Sequence, residues 1–114
     1  MIYSGDSTLV SIREEKVEAL LPRTPILHQN YPNPFNSTTN IVLELPNKGH
    51  VSLKVYDITG KEINRLINEV LPEGQHSIIW DGKDSSGREV ASGIYIAYFL
   101  ASGVSASRKL LLLK

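Results

Sequence analysis

From Thr39 onward, apolar residues recur at every second position, and that period excludes most folds. Thr39, Ile41, Leu43 and Leu45 fall on one side of an extended chain, with Asn40, Val42 and Glu44 on the other. Val51, Leu53 and Val55 alternate in the same way with Ser52, Lys54 and Tyr56. Successive side chains of a strand point to opposite faces, so this period belongs to half-buried strands and not to helices. Turn signals interrupt it. Pro46-Asn47-Lys48-Gly49, Asp57-Ile58-Thr59-Gly60, Leu71-Pro72-Glu73-Gly74 and Asp84-Ser85-Ser86-Gly87 each place Gly fourth, and two begin with Asp, as type I turns prefer. Ser102-Gly103 marks one more turn. Strands are therefore expected over 39–45, 51–56, 61–70, 75–81, 93–101 and 104–113, with a first edge strand near Ile26 to Asn30. About seven strands at roughly 8–12-residue spacing, with no helix after Pro22, predict an all-β, immunoglobulin-like sandwich. The strands do not repeat in sequence, so a solenoid is not indicated.

Trp80 is the only tryptophan and shares a strand face with Ile78. Tyr95, Ala97 and Phe99 share one face of a later strand, and Ile94, Ile96, Tyr98 and Leu100 the other. The indole is expected between the two sheets, as the anchor of the core. Leu110 to Leu113 reads as a strand buried on both faces, being far shorter than the roughly 20 apolar residues that span a bilayer.

The first 29 residues differ and are taken as a leader and linker, with the sandwich occupying 30–114. Thr8 to Ile12 has the character of a short strand. Arg13 to Leu21 is rich in helix formers, with Val17, Leu20 and Leu21 at i, i+3 and i+4. Helix, strand and irregular leader all stay open there. Pro22 and Pro25 punctuate the chain as a linker would. Tyr31-Pro32-Asn33-Pro34-Phe35-Asn36 holds two prolines in three residues, which makes it neither helix nor central strand. Tyr31 and Phe35 are expected to pin this loop onto the edge of the core. No secretory signal opens the sequence, since Met1 to Asp6 lacks both a basic and an apolar region.

Lys+Arg and Asp+Glu are equal at 12 each, so no basic field for nucleic acid or anionic lipid is present. Zero cysteines exclude disulfides, thiolate metal sites and cysteine nucleophiles within this sequence. The three histidines, His28, His50 and His76, have no partner at ligand spacing. Asp57, Asp81 and Asp84 lack the alternation and closing Glu of an EF-hand loop and are read as turn caps. No G-x-S-x-G elbow surrounds Ser85, Ser86 or Ser92. Asn36-Ser37-Thr38 is read as loop chemistry rather than a glycosylation acceptor. The chain is accordingly read as no enzyme, with no metal site and no cofactor.

Four segments stand together: Y-P-N-P-F-N at 31–36, V-S-L-K-V-Y-D-I-T-G-K-E at 51–62, W-D-G-K-D-S-S-G-R-E-V-A-S-G-I-Y at 80–95 and S-R-K-L-L-L-L-K at 107–114. Together they resemble the C-terminal sorting domain of the type IX (Por) secretion system. They are also similar to the wider family of immunoglobulin-like domains of flagellar hook-capping proteins. Ser37 stands where the sorting family commonly has proline. The resemblance implies a bacterial module that directs an attached N-terminal cargo through the periplasm and across the outer membrane, to be anchored at the cell surface or released as a secreted protein. Its partners would be the secretion machinery and a sortase-like peptidase, with no nucleic acid and no membrane span. Gly93, Ile94 and Tyr95, with Arg108, Lys109, Leu110, Leu111, Leu112, Leu113 and Lys114, are the expected recognition surface, read by strand addition at a terminal edge. The alternative is a structural or carbohydrate-binding accessory domain, for which Tyr56, Tyr95, Tyr98 and Trp80 would supply an aromatic platform.

Overall fold

The computed structural model of the chain describes residues 24–114. The expected strand at Thr8 to Ile12 and the expected helix formers at Arg13 to Leu21 lie outside the described residues. Seven strands follow one another, with no helix among the described residues: β1 (Ile26–Leu27), β2 (Thr39–Leu45), β3 (Gly49–Asp57), β4 (Glu62–Leu71), β5 (Gly74–Trp80), β6 (Gly93–Ala101) and β7 (Val104–Leu112). They form two antiparallel sheets, ordered β1-β2-β5 and β4-β3-β6-β7. This is the expected immunoglobulin-like sandwich.

The alternation in the sequence sets which face turns inward. Thr39, Ile41, Leu43 and Leu45 of β2 are all buried, as are Val51, Leu53 and Val55 of β3 and Tyr95, Ala97 and Phe99 of β6. A one-residue slip would turn each set to water, so burial fixes the register. The turns form where Gly and Asp marked them. Gly60 N donates to Asp57 O at 3.0 Å and Gly87 N to Asp84 O at 2.9 Å. At Ser102-Gly103 both residues have positive φ, 51° and 75°, which matches the twist of a two-residue hairpin turn.

Two local expectations fail. Tyr31 is 78% exposed, and of the two rings only that of Phe35, at 3% exposure, packs into the core. The loop turns its ends inward at Asn30 and Phe35, leaving the first ring in water. The leucine run is not buried on both faces either. Leu110 and Leu112 are fully buried, Leu111 is half-buried and Leu113 is 51% exposed. The run sits on an edge strand of one sheet, so only its inward side meets a second layer.

Candidate functional site

Three of the four motif segments converge at one end of the sandwich. Trp80 closes β5 with its ring fully buried. It packs edge-on against Tyr95 at 5.3 Å between ring centroids and tilted against Phe35 at 5.6 Å. Its Nε1–H donates to Lys83 O at 2.9 Å, so the polar end of the indole is satisfied by the turn that follows it. The Tyr95 hydroxyl donates to Ala91 O at 2.6 Å. Burial, and then the charge of Asp57, push that phenol above its ordinary range.

The proline loop is fastened to β7 by a ladder of its own. Phe35 N donates to Leu111 O and Leu113 N to Phe35 O, each at 2.9 Å. Leu111 N donates to Asn33 Oδ1 at 2.9 Å. Upstream, Gln29 Nε2 donates to Lys109 O at 2.9 Å, and Arg108 Nε donates to Leu27 O at 2.9 Å. The sequence reading left the β7 edge open to an added strand. Over Lys109–Leu113 this loop already takes the backbone groups such a strand would need.

A buried polar pair holds the loop from beneath. Asn30 and Thr39 are 3% and 1% exposed. Asn30 Nδ2 donates to Thr39 Oγ1 at 2.9 Å, and Thr39 Oγ1 donates to Pro32 O at 2.8 Å. Sequence reasoning missed this pair. The signal was Thr39 itself, a polar residue in the inward phase of an otherwise apolar strand, where a hydroxyl needs a partner.

The third segment completes the end. Lys114 N donates to Ser92 Oγ, and Lys114 Nζ donates to Glu89 Oε1, each at 3.0 Å. The hydrogen bond and charge of Lys114 hold Glu89 below the usual carboxylate range. A cleft of about 450 Å³ opens here between the Asn36–Thr38 loop, the Asp81–Lys83 turn, Glu89 and Lys114. Gly82 sits in its wall with φ +70°, a conformation that side chains with a Cβ resist.

Of the expected recognition residues, Tyr95, Leu110 and Leu112 lie in the core. Ile94, Arg108, Lys109, Leu113 and Lys114 remain exposed, Gly93 and Leu111 half so. The expected aromatic platform is broken up: Trp80 and Tyr95 are inside, while Tyr56 and Tyr98 meet edge-to-face at 6.3 Å on the outer side of the four-stranded sheet. These two line an open apolar groove of about 600 Å³ with Ile58, Ile94 and Ile96.

The aspartates act as the turn chemistry predicts. Asp57 Oδ1 accepts from Thr59 N, Thr59 Oγ1 and Lys61 N, at 2.9, 2.6 and 3.0 Å. The Thr59 hydroxyl first and the Lys61 amide second hold its carboxyl below the ordinary range. Asp84 Oδ1 accepts from Ser86 N and Arg88 N, both at 2.9 Å, and the Arg88 amide is the main cause of its lowered pKa. Asp81 Oδ1 accepts from Lys83 N at 3.2 Å. His28 pairs with Glu44, and His76 Nε2 meets Pro72 O at 2.7 Å. No group of three or more His, Asp or Glu side chains converges on a metal-sized site among the described residues.

A family model described as the FlgD Ig-like domain matches residues 30–102. The chain belongs to that family. Solved structures agree with the assignment. FlgD of Pseudomonas aeruginosa is 30% identical, at a TM-score of 0.56 over 77% of this chain and 71% of that one. PorU of Porphyromonas gingivalis is 16% identical, at a TM-score of 0.62 over 78% of this chain. PorZ of the same organism, described as a surface component of the type-IX secretion system, is 20% identical, at a TM-score of 0.55 over 77% of this chain. At these identities the two Por proteins share the fold. This FlgD-type chain spans 9% of PorU and 11% of PorZ. A search of curated proteins found no match.

Proposed function

We propose that this FlgD-type domain is a non-catalytic sorting module, which directs an attached cargo to the bacterial cell surface. The observation that carries the reading is the convergence described above. The segments that resemble the type IX sorting domain at 31–36, 80–95 and 107–114 are far apart in sequence, yet they are bonded to one another at one end of the sandwich. A receptor that reads this end reads a folded surface, with Lys114, Glu89 and the Asn36–Thr38 loop presented together around one cleft. Only a closed sandwich displays them in that arrangement, so recognition would double as a check on folding. The likeness to PorU and PorZ supports the same reading.

The test is a reporter fused ahead of residues 1–114 in a bacterium with an active type IX system. Export of the reporter is expected, with loss on deleting 107–114. Because that deletion removes Leu110 and Leu112 from the core, a second variant is needed. Glu89→Lys with Lys114→Glu exchanges two exposed charges and leaves the core intact. It is expected to fold normally and to export poorly. A folded fusion of the unaltered domain that stays in the periplasm would overturn the reading.

A second reading rests on the 30% identity to P. aeruginosa FlgD. A FlgD of Xanthomonas campestris is described in terms of hook capping essential for flagellar assembly. On that reading the domain is a structural part of a hook cap. Replacing the Ig-like domain of a FlgD with residues 24–114 would then restore hook growth in a strain lacking that protein, and the reporter fusion would not be exported.

A further inference from the structure

The sandwich has four edges, and three of them are blocked to a further strand in whole or in part. β1 is only two residues long. β7 is covered over its C-terminal part, by Gln29 at Lys109 and by the proline loop at Leu111–Leu113. β4 is interrupted by two register shifts against β3 and carries Glu62, Arg65 and Glu69, both of which are devices that block edge pairing. β5 has neither device. Gly74–Trp80 contains no charged residue and no proline, and it pairs with β2 over all seven positions without a shift. Its far edge has no neighbouring strand among the described residues.

The layers are also unequal, with three strands facing four. The inner side of β4 is therefore only partly roofed. Ile63, Leu66 and Leu71 are half-buried against the core, and Ile78 of β5 is too. A groove of about 250 Å³ runs between the two strands, lined by Ile67, Leu71 and Ile78 with Glu69, His76 and Ser77. Beside it, Ile79 is 62% exposed. This is the gap a fourth strand, added to β5, would fill.

We propose that residues Thr8–Ile12 of the same chain are that strand, added antiparallel to β5. Three observations select this occupant. Thr8-Leu9-Val10-Ser11-Ile12 is uncharged and rich in β-branched residues, which suit a half-buried pleated surface. The connection also works. β1 and β5 are both antiparallel to β2 and so run the same way. A strand antiparallel to β5 then finishes at the end of the sheet where β1 begins. The gap to cross is three inter-strand spacings, about 14 Å. Residues 13–25 reach about 43 Å when extended. Finally, one register satisfies both faces. Pairing Leu9 with Ile79 and Ser11 with Ser77 covers the exposed isoleucine and turns Thr8, Val10 and Ile12 toward the groove over Ile67 and Leu71. A slip of one residue would send the β-branched side chains to water.

The sequence has no cysteine, so engineered pairs report without background. In residues 1–114 carrying Ser11→Cys and Ser77→Cys, mild oxidation is expected to give an intramolecular disulfide in a monomer. Directly paired strand residues lie about 4.5–5.5 Å apart at Cα, within disulfide range. Val10→Cys with Ser77→Cys points the two thiols to opposite faces and is expected to link at least tenfold more slowly. In a separate Val10→Pro variant, the β5 amides not bonded to β2 are expected to lose at least tenfold in hydrogen-exchange protection. Amides of Val55 and Phe99 would stay protected, which shows that the sandwich is intact. Disulfide-linked dimers would show that the strand comes from a second copy and would overturn the proposal. Equal linking of the two cysteine pairs, or β5 exchange unchanged by Val10→Pro, would overturn it as well.

Discussion

Replacing Trp80 with alanine tests whether the converging end of the sandwich is held by its indole. The side chain is fully buried. An aromatic ring of this class buries about 150–250 Å², which at about 25 cal/mol/Å² corresponds to about 4–6 kcal/mol. Observed costs for Phe and Trp to Ala changes run about 3–5 kcal/mol, because surrounding side chains partly collapse into the space. Lost ring contacts to Phe35 and Tyr95 are contained in that range. The carbonyl of Lys83 loses one of its two donors and keeps Asn64 Nδ2 at 3.0 Å, and Lys83 is half-exposed, so water replaces the indole N–H. A loss of about 3–5 kcal/mol is a large share of the roughly 5–15 kcal/mol that holds a domain of this size. With a urea slope of about 1–1.5 kcal/mol per M, the midpoint should fall by about 2 M or more. Far-UV circular dichroism in urea measures it, at unchanged slope. Ile58→Ala is the control, since Ile58 is 75% exposed, and should move stability by no more than about 0.5 kcal/mol. A Trp80→Ala midpoint within 0.5 M of the unaltered protein, as a rough threshold on that slope, would refute a core built on the indole.

Other changes act through the backbone and through charge. Gly82→Ala should destabilise by about 1–2 kcal/mol in thermal unfolding, because φ is +70° there while the space for a Cβ is adequate, with Leu112 and Ser37 O at 3.7 Å. Ser102→Asn should raise the melting temperature slightly, by up to about 1 kcal/mol of stability, since Asn tolerates the positive φ that Ser102 adopts. Asp57, Asp84 and Glu89 all have carboxyls held below their ordinary values in the fold. Folding therefore favours their charged forms, and that contribution is complete above the ordinary carboxylate range, near pH 4. It drains away as pH falls through the lower folded values, so a melting series from pH 5 to about pH 2 should show a steady decline. Asp57→Ala with Asp84→Ala should flatten that decline.

Much of the fold was legible because burial on one face writes itself as a period of two. Thr39–Leu45 appears in the structure with the bounds its alternation gave, and the turn sequences at Asp57–Gly60 and Asp84–Gly87 close where their Asp and Gly stand. Trp80 lies between the sheets because its phase matches that of Ile78. Loop conformation was less legible. Tyr31 and Phe35 are both aromatic, and only the path of the backbone between the prolines decides which ring turns inward. The leucine run misled for a related reason. An unbroken apolar stretch looks the same whether two layers cover it or one does, and the sheet order that distinguishes the cases is a long-range property. The site was hidden for the same cause. Its defining bonds join Asn33 and Phe35 to residues near 111, 76 or more positions away, and no local pattern encodes such pairing.

The position of β7 has a consequence for synthesis. Until Val104–Leu112 leaves the ribosome, the inner faces of β3 and β6 are already made, but Phe35 lacks its backbone partners at Leu111 and Leu113 and Leu27 lacks the Arg108 side chain. A nascent chain paused just before the Ser102-Gly103 turn would lack Leu110 and Leu112, two fully buried members of the core, and would leave an unsealed seam in their place. Chaperones would meet that seam, and closure would wait for contacts that span nearly the whole polypeptide, the kind of topology that folds in milliseconds to seconds rather than microseconds.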